Sequence, residues 1–350
     1  MAANVNSAFN EFLNNEVNIS KTDSDNAKSS RDYLISQIIN ISKNSSFLKL
    51  SSQYNCYFGS FSRKTKICVL DDVDILLGLD GSGLVLDGNQ WDNLSIVLKD
   101  DCQDRNLINL SDSHQNYYGQ IFKRVLNSNK VKNKLVSGLS SIQQYEKADI
   151  HARGEAVTLK LKSYTWNFDI VPAFYCDGDD NNNPYYVIPN GKGGWKKTNP
   201  KIEKKRITAA NIKFNNTVLK TVRLIKYWNK YGKMPSITSY VLETIVLDYF
   251  DTANHYTIKD GKTVDYPDVH FRDALKYIRD HIFSSVNDSK GIQGNINDLT
   301  YEQKNKIYNR ANADYIKACN AVKAEVVEND NKKSINIWRD IFGDEFPKYE

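Results

Sequence analysis

Three aspartates in two separate segments of the chain could bind divalent cations together. Asp72 and Asp74 lie in the segment 72–77, and Asp169 lies far downstream in the segment 166–171. Successive side chains of a β-strand point to opposite faces, so Asp72 and Asp74 would share one face of a strand. With Asp169 on a neighbouring strand they would form an all-oxygen site of the kind that suits Mg²⁺. Two such ions could stabilise the attacking and leaving oxygens of a phosphoryl displacement.

The choice of acids depends on the apolar residues around them. Asp71 would point to the face opposite Asp72 and Asp74, and we select the latter pair because Val73 and Ile75 then form the buried face. An Asp-x-Asp pair alone is typical of a solvated turn, and so is a Gly-Ser dipeptide.

Asp169 is more informative because it interrupts the apolar run 168–174. A carboxylate in such a run is destabilising unless a cation, a metal ion or a hydrogen bond compensates it.

A Gly-Ser turn upstream of the acids could bind phosphate. Gly59, Ser60, Ser62 and Arg63 follow a predicted strand at 54–58 and lead into a short helix expected at 61–66. Hydroxyls and backbone amides at the start of a helix can donate to the phosphates of a nucleotide, and Arg63 adds positive charge.

Two further residues are candidates for nucleotide contacts. Lys226 belongs to a basic stripe with Lys220, Arg223 and Lys230, whose spacing of three and four places them on one side of a helix. Tyr240 could stack on a base. The alternatives are a solvated basic surface for the stripe and a place in the core for the tyrosine.

The composition limits the class of protein. A chain of 350 residues can bury a sizeable core in two lobes, and a net charge of +5 suits a polyphosphate substrate without requiring nucleic acid. The five cysteines show no paired metal-ligand spacing, which favours a reduced, cytoplasmic protein. There is no signal-peptide pattern and no apolar run of membrane-spanning length, so we expect no membrane partner.

Hydrophobic periodicity predicts mixed strands and helices first and helices alone later. Two N-terminal helices are expected around residues 5–17 and 33–41, with a polar stretch at 20–30 between them. The apolar spacing over 117–126 predicts a helix behind the sheet. Strands are expected at 67–79, 155–161 and 166–175, loops at 81–88 and 177–183, and a hairpin turn at 190–194.

From about residue 205 the pattern is helical. Helices are expected at 206–231, 236–253, 268–284, 300–329 and 334–342. The order of elements therefore predicts an α+β fold, with residues 1–204 forming a catalytic lobe with a mixed sheet and N-terminal helices, and residues 205–350 forming a helical lobe.

Three short segments of the chain resemble the polymerase-β-like nucleotidyltransferase superfamily. The resemblance lies in Phe58-Gly59-Ser60, Asp72-Val73-Asp74 and the segment 168–172. One departure is Lys64-Thr65-Lys66, where relatives often carry Gly-Thr-Ala or similar. A narrower similarity to the bacterial cGAS/DncV-like nucleotidyltransferases, the enzymes of the CBASS anti-phage systems, lies in the segments 194–200, 224–228, 239–243 and 338–343.

The resemblance implies a two-lobed fold and a set of site residues. Asp72, Asp74 and Asp169 would be catalytic and would bind two Mg²⁺ ions, with Mn²⁺ as an alternative, while Ser60 and Lys226 would contact the triphosphate. Ser239 lies in a matching segment. The candidate nucleotide-binding residues are thus Gly59, Ser60, Ser62, Arg63, Lys226, Ser239 and Tyr240.

The resemblance also implies a reaction. Nucleoside triphosphates (ATP, GTP or pyrimidine nucleotides) would be joined into a cyclic di- or trinucleotide second messenger, with release of pyrophosphate. The product would act on a separate effector protein. We expect a monomer, and no nucleic-acid activator is indicated.

Two alternatives remain open. A linear or RNA-directed nucleotidyltransferase of the same fold would need an RNA-binding surface. A non-catalytic nucleotide sensor is less favoured, because all three acids are present.

Overall fold

The computed structural model describes residues 2–178, 183–252, 258–259, 262–263 and 265–350. Contacts within the chain define two compact units. A strand-rich unit comprises Thr22–Ser62 and Leu70–Lys201, and a helical unit comprises Met1–Lys21, Arg63–Val69 and Ile202–Glu350. The predicted functional lobes, 1–204 and 205–350, stay a prediction.

Strands and helices are numbered in chain order. The strands in the described residues are β1 (Cys56–Phe58), β2 (Asp72–Gly78), β3 (Leu84–Asp87), β4 (Ser95–Leu98), β5 (Ser111–Gln115), β6 (Ile121–Leu126), β7 (Asp149–Arg153), β8 (Ala156–Lys160), β9 (Asn167–Cys176), β10 (Tyr185–Pro189), β11 (Trp195–Thr198), β12 (Ile258–Lys259) and β13 (Lys262–Thr263). The α-helices there are α1 (Val5–Phe12), α2 (Lys21–Ser42), α3 (Gly59–Ser62), α4 (Arg105–Asn109), α5 (Ser128–Ser140), α6 (Pro200–Lys213), α7 (Thr217–Tyr231), α8 (Ser239–Thr252), α9 (Pro267–His281), α10 (Tyr301–Val326) and α11 (Asn331–Phe342). A π-helical turn at Leu13–Val17 continues α1.

The main sheet of the strand-rich unit is built around the long strand β9. In the described part of the chain it contains seven strands, with the order β1-β2-β9-β10-β11, and with β8 paired to β9 and β7 paired to β8. The β2–β9 pair is parallel, whereas β1–β2, β8–β9 and β7–β8 are antiparallel. A second sheet in the same unit has the order β3-β4-β6-β5. This mixed sheet with separate helices confirms the predicted α+β class.

One face of the main sheet is buried, as the alternation on β2 predicts. Val73 and Ile75 on β2 and Phe168 and Ile170 on β9 are at most 1% exposed. Residues of even number on β2 and of odd number on β9 therefore point to the other face, which we call the polar face. It carries the three predicted acids where the two strands begin, and the buried apolar residues Leu76, Val171 and Ala173 further along.

The helix predicted over 117–126 is wrong. These residues form the turn between β5 and β6 and the strand β6 itself. The Asn116 side chain accepts hydrogen bonds from the backbone of Tyr118 and Gln120, and Gly119 has φ +77°. An asparagine and a glycine at these positions are typical of a tight turn, which outweighs the helical spacing of the apolar residues.

Three other boundaries differ from the expectation. The polar stretch 20–30 is helical, because α2 runs from Lys21 to Ser42. The single helix expected over 206–231 is interrupted between α6 and α7, where Asn215 and Asn216 have positive φ. Positive φ is incompatible with a continuous right-handed helix. The short helix expected at 61–66 lies instead at Gly59–Ser62, and the strand expected over 67–79 begins at Asp72.

Other predicted elements are confirmed. The strands at 155–161 and 166–175 correspond to β8 and β9, and residues 190–194 lie between the antiparallel strands β10 and β11. Helices α8 to α11 match their predicted positions closely. The expected loop 81–88 contains β3, and part of the expected loop 177–183 lies outside the described residues.

The helical unit has one large hydrophobic core that includes the start of the chain. Phe9 and Phe12 on α1 pack against Trp338 and Phe342 on α11, with ring centroids 5.0 Å apart in the Phe9–Trp338 and Phe12–Phe342 pairs. None of the described helices is both long enough and apolar enough to cross a bilayer.

Candidate active site

The predicted acids lie on adjacent strands of one sheet. In the parallel β2–β9 pair, Asp74 is directly opposite Asp169, and Asp72 is opposite Asn167. Directly paired residues share a face, and neighbouring strands are about 4.8 Å apart. Asp74 and Asp169 therefore lie side by side on the polar face, with Asp72 one step along the same face of β2. We call these three residues the acid row.

The chemistry of the acid row fits a hard cation, although a closed metal cluster is not preformed. Within the described residues, no three His, Cys, Asp or Glu side chains are grouped so that they could already hold a metal ion. Mg²⁺ is usually bound by one or two carboxylates, several waters and the phosphates of a substrate. The paired oxygens of Asp74 and Asp169 match that kind of site, in which the nucleotide supplies the missing ligands.

Glycine is required at position 59 because the Asp74 carboxylate approaches its backbone. Gly59 has φ +70°, and a Cβ placed there would lie 1.7 Å from Asp74 Oδ2. Phe58, the last residue of β1, pairs with Asp74 in the antiparallel β1–β2 ladder. Any other residue at position 59 would displace the carboxylate, so the Gly-Ser turn and the acid row form one structural feature.

The structure places the two serines of the turn in different surroundings. Ser60 is buried on the one-turn helix α3. The Ser62 hydroxyl donates to the carbonyl of Tyr57 at 2.8 Å and so helps to close the turn. Their predicted contacts with phosphate stay predictions.

A cavity of about 700 Å³ borders the acid row on the polar face. Phe58, Val171 and Ile188 form apolar parts of its wall, and Asp74 and Asp169 are among its polar residues. The size is in the range of small-molecule sites, a few hundred to about 1,000 Å³.

Several polar residues of this cavity come from the β7–β8 hairpin and escaped the sequence analysis. His151 Nδ1 lies 3.2 Å from Asp149 Oδ1, and Lys196 on β11 donates to Glu155 at 2.6 Å. Burial alone would raise the pKa of Glu155, but the hydrogen bond and charge of Lys196 hold that pKa below its ordinary value. The pattern that could have revealed the hairpin is Arg153-Gly154-Glu155, whose glycine has φ +52°.

Thr158 on β8, which the sequence does not single out, contacts the acid row directly. It is paired with Asp169 in the antiparallel β8–β9 ladder, and its hydroxyl donates to Asp169 Oδ1 at 2.6 Å. Asp169 thus lies between a hydroxyl donor on one strand and the Asp74 carboxylate on the other.

The other candidate nucleotide-binding residues belong to the helical unit and are Arg63, Lys226, Ser239 and Tyr240. Arg63 and Lys226 share one counter-ion. Glu243 accepts hydrogen bonds from Arg63 Nε at 2.7 Å and from Lys226 Nζ at 2.5 Å. Thr65 donates to the same carboxylate at 2.8 Å. Glu243 is 2% exposed. Lys226, one member of the predicted basic stripe, is therefore not a solvated surface residue.

These contacts extend into a longer chain of ion pairs and hydrogen bonds. Arg63 also donates to Glu203 at 2.7 Å, Lys290 donates to Glu203 at 2.9 Å, and the Tyr240 hydroxyl donates to Asp288 at 2.5 Å. Lys290 Nζ lies 3.6 Å from Asp288 and 4.2 Å from the centre of the Tyr240 ring. We define the buried ion network as Lys226, Glu243, Arg63, Glu203, Lys290, Asp288 and Tyr240.

Burial and neighbouring charges act in opposite directions within the buried ion network. Burial would raise the pKa of Glu243, but the charges of Lys226 and Arg63 hold that pKa below its ordinary value. Burial lowers the pKa of Lys226 in spite of the attraction of Glu243. Burial and the adjacent Asp288 raise the pKa of Tyr240.

Ser239, the first residue of α8, is exposed, and the structure does not place it in the buried ion network. The nucleotide contacts predicted for Arg63, Lys226, Ser239 and Tyr240 stay predictions. Glu243 joins Arg63 and Lys226, and it is not among the residues that the sequence predicts for the site.

Comparison with known proteins identifies relatives over the whole chain. No protein-family profile matches. A probable cyclic nucleotide synthase of Bacillus cereus (strain VD146) is 37% identical over 353 aligned residues, which cover 100% of both chains.

Solved structures show the same fold at low identity. The structure of CdnC from E. coli MS115-1 with ATP has a TM-score of 0.65 at 15% identity and covers 97% of this chain and 98% of that one. The cyclic AMP-GMP synthase DncV of Vibrio cholerae, described as a prokaryotic cGAS homologue, has a TM-score of 0.65 at 11% identity, covering 97% and 96%. A DncV variant in complex with ATP and GTP has a TM-score of 0.67 at 10% identity, covering 99% and 98%. These likenesses confirm the predicted fold class.

Proposed function

The chain belongs to the bacterial cGAS/DncV-like nucleotidyltransferases, the family of its cyclic nucleotide synthase relative, and from that membership we propose its reaction. It joins nucleoside triphosphates into a cyclic di- or trinucleotide and releases pyrophosphate at each step. The observation that supports this most directly is the parallel register that pairs Asp74 with Asp169 beside a cavity of about 700 Å³.

We propose ATP, GTP or pyrimidine nucleotides as substrates. ATP is present in the CdnC structure, and ATP and GTP are present in that of the DncV variant. The cyclic product would act on a separate effector protein as part of a CBASS anti-phage system. The cytoplasm, which holds the triphosphates, would be the site of the reaction, and a monomer would suffice for it.

Asp72, Asp74 and Asp169 would hold the divalent cations, Mg²⁺ or Mn²⁺. Bound there, the cations supply positive charge that stabilises the attacking and leaving oxygens of an in-line displacement. The residues of the chain supply position: the acid row fixes the reacting end of the nucleotide, and the Gly59–Ser62 turn donates to its phosphates.

The bond changes are those of successive nucleotidyl transfers, two for a cyclic dinucleotide and three for a cyclic trinucleotide. A 3′- or 2′-hydroxyl of one nucleotide attacks the α-phosphorus of another, and the bond from that phosphorus to pyrophosphate breaks. The hydroxyl proton passes to the Asp169 carboxylate. The linear intermediate then presents its remaining triphosphate to its own free hydroxyl, and the last transfer closes the ring without a template strand.

The test supplies the purified protein with Mg²⁺ and each labelled nucleoside triphosphate, alone and in pairs. We expect a product that resists phosphatase and has the mass of a cyclic oligonucleotide. Asp74→Asn and Asp169→Asn should each lower the rate by at least about 10²-fold, because the site loses a carboxylate near the reacting atoms. Circular dichroism should remain unchanged.

The other outcomes separate the alternative functions. A phosphatase-sensitive chain would indicate a linear transferase, and nucleotide binding without any product would indicate a sensor. Full activity of Asp74→Asn, in a protein that makes the cyclic product, would refute the role of the acid row.

A further inference from the structure

The hydroxyl of Thr158 lies where it can control the orientation of an acid. Its donor–acceptor distance to Asp169 Oδ1 is 2.6 Å, within the 2.5–2.7 Å typical of a hydroxyl bound to a charged carboxylate. Such hydrogen bonds are roughly twice as strong as neutral ones. The bond also joins two directly paired residues of the β8–β9 ladder, so backbone pairing fixes the positions of both Cα atoms.

Threonine is suited to this task by its shape. Because its Cβ is branched, rotation about χ1 is restricted, and in a strand the hydroxyl is held in few orientations. Its single proton is directed at Oδ1. Asp169 can then present Oδ2 to a ligand without losing the contact with Thr158.

The neighbour on the other side explains why Asp169 needs such support. Asp74 is its direct partner on β2, so two carboxylates lie on adjacent strands. Like charges at this spacing repel each other, and an unsupported aspartate would rotate away from its partner. A hydrogen bond on the side opposite Asp74 opposes that rotation.

We propose that Thr158 is a positioning residue that orients the Asp169 carboxylate for binding a divalent cation. The inference rests on the proposed function, because it requires the acid row to bind the cation. Hydrogen-bonding partners of metal-binding carboxylates commonly influence affinity and activity by about 10–100-fold. In this role Thr158 would act through Asp169 and would contact neither the cation nor the reacting atoms.

The test compares two substitutions that differ in the hydroxyl. Thr158→Val keeps the branched Cβ and the strand preference but removes the proton donor, and Thr158→Ser keeps the donor. Binding of Mn²⁺, with α,β-methylene-ATP present, is measured by calorimetry. We expect the dissociation constant to rise by about 10–100-fold in Thr158→Val and to stay near the wild-type value in Thr158→Ser.

Kinetics provide a second readout that a purely structural role would not change. The Mg²⁺ concentration for half-maximal rate should rise in Thr158→Val and kcat should fall, while KM for the nucleotide at saturating Mg²⁺ stays the same. Thr165→Val is the matched control in the same unit, because its hydroxyl makes only a 3.4 Å contact with the carbonyl of Leu70.

Asp169→Asn separates failure of this inference from failure of the proposed function. If Asp169→Asn abolishes Mn²⁺ binding and Thr158→Val, still folded, binds Mn²⁺ like the wild type, the positioning role is wrong and the metal site stands. If the wild type binds no Mn²⁺, or Asp169→Asn binds it normally, the metal site itself is refuted and the inference with it.

Discussion

The acid row and the buried ion network hold charged side chains in opposite ways. In the acid row, Asp74 and Asp169 are directly paired, carry the same charge and border a cavity. In the buried ion network, cations and anions alternate, and the six charged side chains are at most 11% exposed. The acid row concentrates negative charge beside a cavity, whereas the buried ion network neutralises charge inside the helical unit.

This difference indicates what each region contributes. Adjacent like charges repel each other, and a cation bound between them would relieve that repulsion, so their presence beside a cavity points to binding. Buried opposite charges compensate each other, and removing one member leaves another without its partner. We therefore expect substitutions in the acid row to change chemistry, and substitutions in the buried ion network to change stability.

The largest effect on stability is expected for Glu243→Gln. The substitution preserves size but leaves Arg63 and Lys226 buried without the carboxylate that both contact. Breaking a buried ion pair in this way destabilises a protein by about 3–5 kcal/mol. Urea unfolding of both proteins at the same pH gives the difference in free energy.

Glu302→Gln is the matched control for this prediction. Glu302 forms an exposed ion pair with Lys306 one helical turn away. Surface pairs of this type contribute little, so the control should unfold at the wild-type urea concentration. Equal stability of Glu243→Gln and the wild type would contradict the stabilising role that we assign to the buried ion network.

A smaller effect, on activity rather than stability, is expected for Gly59→Ala. The new methyl group would collide with Asp74 Oδ2 and displace that carboxylate. Misplacing a catalytic group by about 1 Å can lower a rate by about 10²-fold. The rate of cyclic product formation is the measurement.

Gly119→Ala controls for backbone strain in that experiment. Gly119 has φ +77°, close to the +70° of Gly59, and no atom lies within 4 Å of the position of its Cβ. Both variants should lose about 1–2 kcal/mol of stability from the left-handed conformation. Only Gly59→Ala should lose activity, and an equal loss in both would assign the effect to strain alone.

The sequence predicts the acid row better than the buried ion network, for a physical reason. The two-residue alternation around Asp74 and the apolar run around Asp169 are local patterns, and each places its residue on a strand. The partners Arg63 and Glu243 are 180 positions apart. No local periodicity connects such residues, so spacing alone suggested a solvated face for Lys226.

The wrong prediction of a helix over 117–126 also comes from an ambiguous local pattern. Ile121 and Val125 are four residues apart, which fits a helix, and also an even number apart, which fits one face of a strand. The turn formed by Asn116 and Gly119 decides between these possibilities. Thr158 was missed because its role depends on the register of β8 against β9, which the composition of either strand does not specify.

The smallest expected effect is a change with pH in the stability difference between Glu243→Gln and the wild type. The folded-state pKa of Glu243 is held below the ordinary value of 4.5 by Lys226 and Arg63. Its stabilisation is therefore fully present above pH 4.5 and is lost as the pH falls through the folded-state pKa.

Urea unfolding on both sides of pH 4.5 measures this change. The other titrating groups of the network, such as Asp288, are present in both proteins and should largely cancel in the difference. We expect the gap in unfolding free energy to be widest above pH 4.5 and to narrow below it, because a protonated Glu243 resembles the glutamine that replaces it. A gap that stays constant across the range would mean that the charge of Glu243 does not stabilise the helical unit, and would leave shape alone to explain its burial.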